Sequence, residues 1–167
     1  MRPRPVPPTA EHIATLPPFT PLTLERIHVP ATADDCAKAA VEISRHGYVG
    51  FDTESKPTFQ KGEASTGPHV VQFATSERAW LFQVNNPASR EAIASLLGST
   101  ATVKVGFGLK SDRSHIRARL GAPLRAVLDL TTWFRQEGYR NEIGVKTADA
   151  IVLGQQFSKS KRMSTSN

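Results

Sequence analysis

The 167-residue chain carries 21 basic and 15 acidic side chains, a formal net charge of +6, and 39% hydrophobic residues. That length and balance describe one globular domain of ordinary size, and no apolar run approaches the length of a membrane span. The single cysteine, Cys36, excludes an intramolecular disulfide and a cysteine zinc cluster; the N-terminal MRPRPVPPTAEHIATLPPFTP lacks the apolar core of a secretory signal, so a cytoplasmic address is expected.

The charge is unevenly placed. Residues 1–103 hold 9 basic and 10 acidic groups, whereas residues 104–167 hold 12 basic and 5 acidic. Such asymmetry points to a polyanionic partner such as nucleic acid, although a general solubility charge gives the same count.

In chain order, seven of the twelve prolines fall in residues 1–21, which read as an irregular arm. The domain organisation expected is a Pro-rich arm over residues 1–29 and a folded domain over 30–167. Thr32 opens a helix with early acids and good helix formers, and Gly47 closes it. Tyr48–Thr53 reads as a strand. Residues 55–68 are polar and rich in Pro, Gly and Ser, a loop. HVVQFAT (His69–Thr75) and AWLFQV (Ala79–Val84) read as strands joined by a short turn, hence an antiparallel pair. Ala88–Leu97 is helical, Thr102–Phe107 a strand, Ser111–Leu120 a helix stopped by Gly121, and Ala126–Leu130 a fifth strand. Thr131–Gln136 begins a further helix, and Val145–Leu153 forms the last, closed by Gly154. A hairpin followed by alternating helices and strands predicts an α/β layered fold with a mixed sheet. Trp80, Trp133 and Phe134 are expected in the core.

Asp52 and Glu54, in FDTESKP, sit one residue apart at the C-terminal end of the first strand and so point to the same face. Two like charges held together repel. A hard divalent ion such as Mg²⁺ or Mn²⁺, which prefers oxygen ligands, would remove that repulsion. Two such ions about 4 Å apart can activate water and stabilise the leaving oxygen of a phosphodiester. Asp112, in VGFGLKSDRSHI, follows another strand through a glycine-containing link and falls on the same sheet edge. It is the best third ligand, or a helix N-terminal acid placed for the dipole. In open α/β sheets, sites gather at the C-terminal ends of strands.

Phe51-Asp52-Thr53-Glu54, the HVVQFAT strand and KVGFGLKSD together resemble the DEDD 3′–5′ exonucleases, in the branch of ribonuclease D and the Werner syndrome exonuclease domain. The resemblance covers roughly residues 30–165. It implies a ribonuclease H-like fold with a five-stranded mixed sheet flanked by helices. It implies that Asp52 touches both metals, that Glu54 binds one and helps position water, and that Asp112 holds the other. The implied reaction releases nucleoside monophosphates from the 3′ end of DNA or RNA.

The family's third motif, a Tyr or His followed by an Asp four or five residues on, has no counterpart after residue 140. Asp149 lies too early and lacks the aromatic partner; Asp129, at the end of the fifth strand, reads as structural or as a support behind the metal ligands. The chain therefore resembles an exonuclease domain without its C-terminal helices, with a weakened second metal site and an apolar face left open. A piece of a longer protein, a shortened nucleic-acid binder, and a subunit whose gap a second copy fills are the three explanations. The rival function is a catalytically inert binding or scaffolding module on the same fold.

Lys56, Arg113 and Lys159 are the candidate substrate-binding residues, through phosphate contacts. Arg117 and Arg119 share the basic helix of Arg113, and Phe59 could stack on a base or enter the core. His46, His69 and His115 are not spaced as a metal cluster; His115, one turn from Asp112, is expected to hydrogen-bond to it.

Overall fold

A computed structural model describes residues 4–56 and 66–158. The chain divides into two compact units, one of Leu22–Leu130 and one of Met1–Pro21 with Thr131–Asn167. The first holds strands β1 (Ile27–His28), β2 (Tyr48–Glu54), β3 (Val70–Ala74), β4 (Ala79–Gln83), β5 (Val103–Gly106) and β6 (Val127–Asp129). Its helices are α2 (Ala33–Ser44), α3 (Pro87–Gly98) and α4 (Lys110–Leu120). The second holds α1 (Ala10–Thr15) and α6 (Val145–Leu153); α5 (Leu130–Gln136) leads into it from β6. No described helix is long and apolar enough to cross a membrane.

The sheet order is β1-β4-β3-β2-β5-β6. β3 is antiparallel to both β2 and β4, while β1–β4, β2–β5 and β5–β6 are parallel. Only β3 therefore runs against the rest, and the C-terminal ends of β2, β5 and β6 share one edge. The sheet has six strands rather than the five expected. The additional one, β1, is two residues long, too short to carry a readable alternation. The N-terminal arm also contains a helix, α1, capped by the Thr9 side chain.

Local chemistry sets the helix ends. Thr32 and Asp35 form a reciprocal capping box on α2, with Thr32 Oγ1 accepting from the Asp35 amide at 3.1 Å and Asp35 Oδ2 from the Thr32 amide at 3.2 Å. Hydrogen bonds from Thr32 hold the Asp35 carboxyl below its ordinary range. Asn86 caps α3 ahead of Pro87 at its first position, and Gly121 ends α4 with φ 62°.

One sheet face is buried. Val49, Phe51, Val71, Phe73, Trp80 and Phe82 form one cluster with Ile43 of α2, Ile93 and Leu97 of α3, and Ile116 of α4. The other face, read from the register, carries Tyr48, Gly50, Asp52 and Glu54 on β2, and it stays half-buried or exposed. Lys104 belongs to the buried face. Its Nζ donates to the carbonyls of Ser99 at 2.6 Å and Thr102 at 2.9 Å, which ties down the turn before β5, and burial pulls its pKa below the ordinary value. In the second unit Phe134 is buried, but Trp133 is 37% exposed and packs edge-on against Phe134. The expectation of a core Trp133 is corrected accordingly.

Two predictions follow from packing and charge. A Cβ on Gly106 would lie 2.4 Å from the Phe51 carbonyl oxygen and 2.8 Å from the Leu109 side chain. Gly106→Ala is therefore expected to lose about 1–3 kcal/mol in urea unfolding, as overpacking does. Gly98→Ala, where nothing lies within 4 Å of the added Cβ, serves as the control and should be neutral or stabilising by up to about 1 kcal/mol.

The second concerns Asp149 on α6, which is buried with its Oδ2 unpartnered among the described residues. Desolvation raises its pKa above the ordinary 3.8, so the folded state binds the proton more tightly than the unfolded chain does. The stability linked to this group is complete below 3.8 and is lost as pH rises through the raised folded value. Asp149→Asn should thus unfold at higher urea than the wild type at pH 7, with the gap closing towards pH 4. An equal gap at both pH values would rule this linkage out.

Candidate functional site

Asp52 and Glu54 come from the last turns of the β2 alternation, and both are exposed. Between them, Thr53 falls on the helix-covered face with Val49 and Phe51. The Asp52 Oδ1 accepts from the Thr53 amide at 2.9 Å, which folds that carboxylate back along its own strand. The Glu54 carbonyl accepts from the His69 amide at 2.8 Å and so extends the β2–β3 ladder past its last strand residues.

Asp112 stands in the first turn of α4 and is 9% exposed. The Thr53 hydroxyl donates to its Oδ1. The structure thus brings Asp112 to the same strand end as Asp52 and Glu54, but onto the hydroxyl of the residue between them. The expected bond to His115 is not made: Asp112 turns to Thr53, because α4 faces the sheet through Asp112 and Ile116. Carboxylate oxygens of this kind suit Mg²⁺ or Mn²⁺ by donor chemistry. Among the described residues, no three acidic, His or Cys side chains gather closely enough to hold a metal.

Cationic groups flank these acids. Lys56 is exposed, two residues beyond Glu54, and its amide donates to His69 Nδ1 at 3.1 Å. Arg113 and Arg117 project from the exposed side of α4, while Arg119 is engaged with Asn85 at 2.9 Å. Lys159 and Phe59 lie outside the described residues.

Two side chains contribute here that the sequence reading did not assign to the site, and the structure defines the contacts of a third, Asp129. Thr53 had no signal of its own. His69 organises the start of the loop after β2, its Nε2 lying 3.4 Å from the Thr66 hydroxyl. Asp129, read as structural or as a support behind the ligands, accepts from the amides of Gly108 at 3.1 Å and Leu109 at 2.9 Å, just ahead of α4.

A mixed sheet with a single reversed strand, helices over one face and acids at the shared C-terminal edge defines a ribonuclease H-like α/β fold. The sequence profile of the 3′–5′ exonucleases matches residues 27–167, and the chain belongs to that family. No curated protein sequence matches it. Among solved structures it is similar to the Aedes aegypti Nibbler EXO domain, with a TM-score of 0.69 and 20% identity over 86% of this chain and 75% of that one. It is similar to Trypanosoma brucei RNase D, with a TM-score of 0.72 and 18% identity over 82% of this chain and 50% of that one. It is also similar to Escherichia coli RNase D, with a TM-score of 0.68 and 15% identity over 81% of this chain and 36% of that one. The chain thus spans about half the length of the first RNase D and about a third of the second.

The Thr53–Asp112 bond is directly testable. Thr53→Val removes the donor to a buried carboxylate and is expected to lower stability by about 1–3 kcal/mol. Thr53→Ser keeps a hydroxyl and should recover more than half of that loss in the same urea titration. A loss in Thr53→Ser with none in Thr53→Val, which keeps the methyl, would assign the effect to packing of that methyl instead.

Proposed function

We propose that the chain is a Mg²⁺- or Mn²⁺-dependent 3′–5′ exonuclease domain that hydrolyses phosphodiester bonds at the 3′ end of nucleic acid. The observation that carries this reading is the placement of Asp52 and Glu54, exposed and on one face, at the sheet edge that also receives Asp112, in a chain of the 3′–5′ exonuclease family. Asp52, Glu54 and Asp112 are the catalytic metal ligands in this reading. The ion, when bound, supplies an activated water and offsets charge on the leaving oxygen. The protein's own part is to present hard oxygens at the edge and to fix Asp112 through Thr53. Lys56, Arg113 and Lys159 neutralise phosphates of the strand being shortened. Trypanosoma brucei RNase D has been solved in complex with RNA U12, and the EXD2 exonuclease domain soaked in Mg and GMP. These ligands, an RNA, a divalent metal and a nucleoside monophosphate, are of the classes that this reading requires.

A second reading is favoured by one observation, the absence of any three gathered ligands among the described residues. In it the domain binds nucleic acid without cleaving it, and Arg113 and Lys56 retain their role.

Digestion of a 5′-labelled single-stranded oligonucleotide with Mn²⁺ separates the two. The expected result is a ladder shortening from the 3′ end, abolished by EDTA and reduced at least a hundredfold in Asp52→Ala. A folded protein that retains the oligonucleotide and leaves it intact supports the inert binder.

A further inference from the structure

Helix α4 begins without a cap of its own. Its N-cap residue is Leu109, whose side chain makes no capping bond and is instead buried in the core. The first amides of a helix need acceptors, and apolar residues are poor at supplying them. Here the acceptor comes from another strand. Asp129, the last residue of β6, takes the Gly108 amide on Oδ1 at 3.1 Å and the Leu109 amide on Oδ2 at 2.9 Å. One carboxylate thus grips two successive amides of the turn that launches α4, and its charge sits at the favourable end of the helix dipole.

The turn is also held by burial of Leu109 and by the Leu109 carbonyl, which accepts from the Arg113 amide at 3.1 Å. Gly108 adopts φ +64°, a conformation open to glycine at no steric cost, and a Cβ there would meet nothing within 4 Å. Four residues after Gly108 comes Asp112. The direction in which α4 leaves the turn decides where the Asp112 carboxylate meets Thr53.

We propose that Asp129 is a positioning residue for the site: from the end of β6 it caps α4 in place of a residue of α4 itself, and so sets where Asp112 stands relative to Asp52 and Glu54. This role rests on Asp112 being a metal ligand, as proposed above. Asp129 does not touch the metal or the substrate. It acts through the backbone of Gly108 and Leu109.

The test has two readouts. The first is amide hydrogen exchange in the metal-free protein, which reports on the clamp whether or not the domain is a nuclease. Asp129→Ala should lower the protection of the Gly108 and Leu109 amides at least tenfold relative to the wild type. Asn86→Ala, which removes the cap of α3 instead, should leave them unchanged. The second is Mn²⁺ binding, followed by loss of the free-ion EPR signal. Asp129→Ala should weaken it about tenfold, the lower end of what removing the support of a metal ligand does. Asn86→Ala should stay within twofold, although it loses a comparable cap. Asp129→Asn keeps one acceptor oxygen and should fall between wild type and alanine; it carries both measurements if the alanine variant does not fold. Unchanged exchange at Gly108 and Leu109 overturns the clamp. Lost protection with wild-type Mn²⁺ affinity makes Asp129 a stability residue only and overturns the positioning role. Mn²⁺ binding that is indifferent to Asp52→Ala in the otherwise wild-type protein removes the metal reading itself, and the role of Asp129 with it, whatever the exchange data show.

Discussion

The parallel pairing of β2 with β5 is the constraint on which the rest of the site depends. Its register sets Tyr48 opposite Val103 and Gly50 opposite Val105, so both strands leave the sheet at the same edge. The two backbones come so close beyond that register that residue 106 has no room for a Cβ beside the Phe51 carbonyl. Glycine is therefore required at that point, and the left-handed turn at Gly108 follows almost at once. Asp112 is delivered to the end of β2 by this backbone geometry before its own side chain contributes anything.

The two faces of the sheet divide stability from chemistry. Phe51, Phe73 and Phe82 stack through one face in tilted and edge-on contacts, and burial of that face against three helices supplies the main drive to fold. Asp52 and Glu54 alternate away from it and remain hydrated, so their mutual repulsion is eased by water. Asp112 is the exception, a carboxylate on the covered side. Burial of a charge without a partner is costly, and the Thr53 hydroxyl meets that need. The same alternation that exposes the two acids is what turns Thr53 inward to receive the third.

Much of this was legible in the residues. Thr32 and Asp35, Gly121 and Gly154 announced their helix ends, because capping is chemistry within one turn. The period-two patterns of β2, β3 and β4 were read to within a residue or two, and the sharing of one face by Asp52 and Glu54 followed from them. What could not be read was either too short or too distant. β1 is two residues long and takes its place in the sheet from pairing with β4, which no local pattern encodes. The Thr53–Asp112 bond spans 59 residues and the Asp129–Leu109 bond spans 20, so neither leaves a spacing to recognise. His115 seemed the natural partner of Asp112 because the two lie one turn apart; which side of α4 meets the sheet is a tertiary fact.

Identities of 15–20% to the solved exonuclease structures are enough for the same fold, because the fold asks for little: alternation on the strands, a glycine where β2 and β5 crowd, and acceptors at helix starts. A fold held so loosely by sequence does not settle what happens at its edge. The acids there are a different kind of evidence. Asp52 and Glu54 repel each other, and Asp112 must be desolvated and then supplied with a donor. None of the three is what packing alone would select at its position. Residues that conflict locally with stability and meet at one strand end are where a function is to be sought. Asp129 belongs with them for a different reason: it supports α4 from the end of β6, at a helix start that has no side-chain cap of its own.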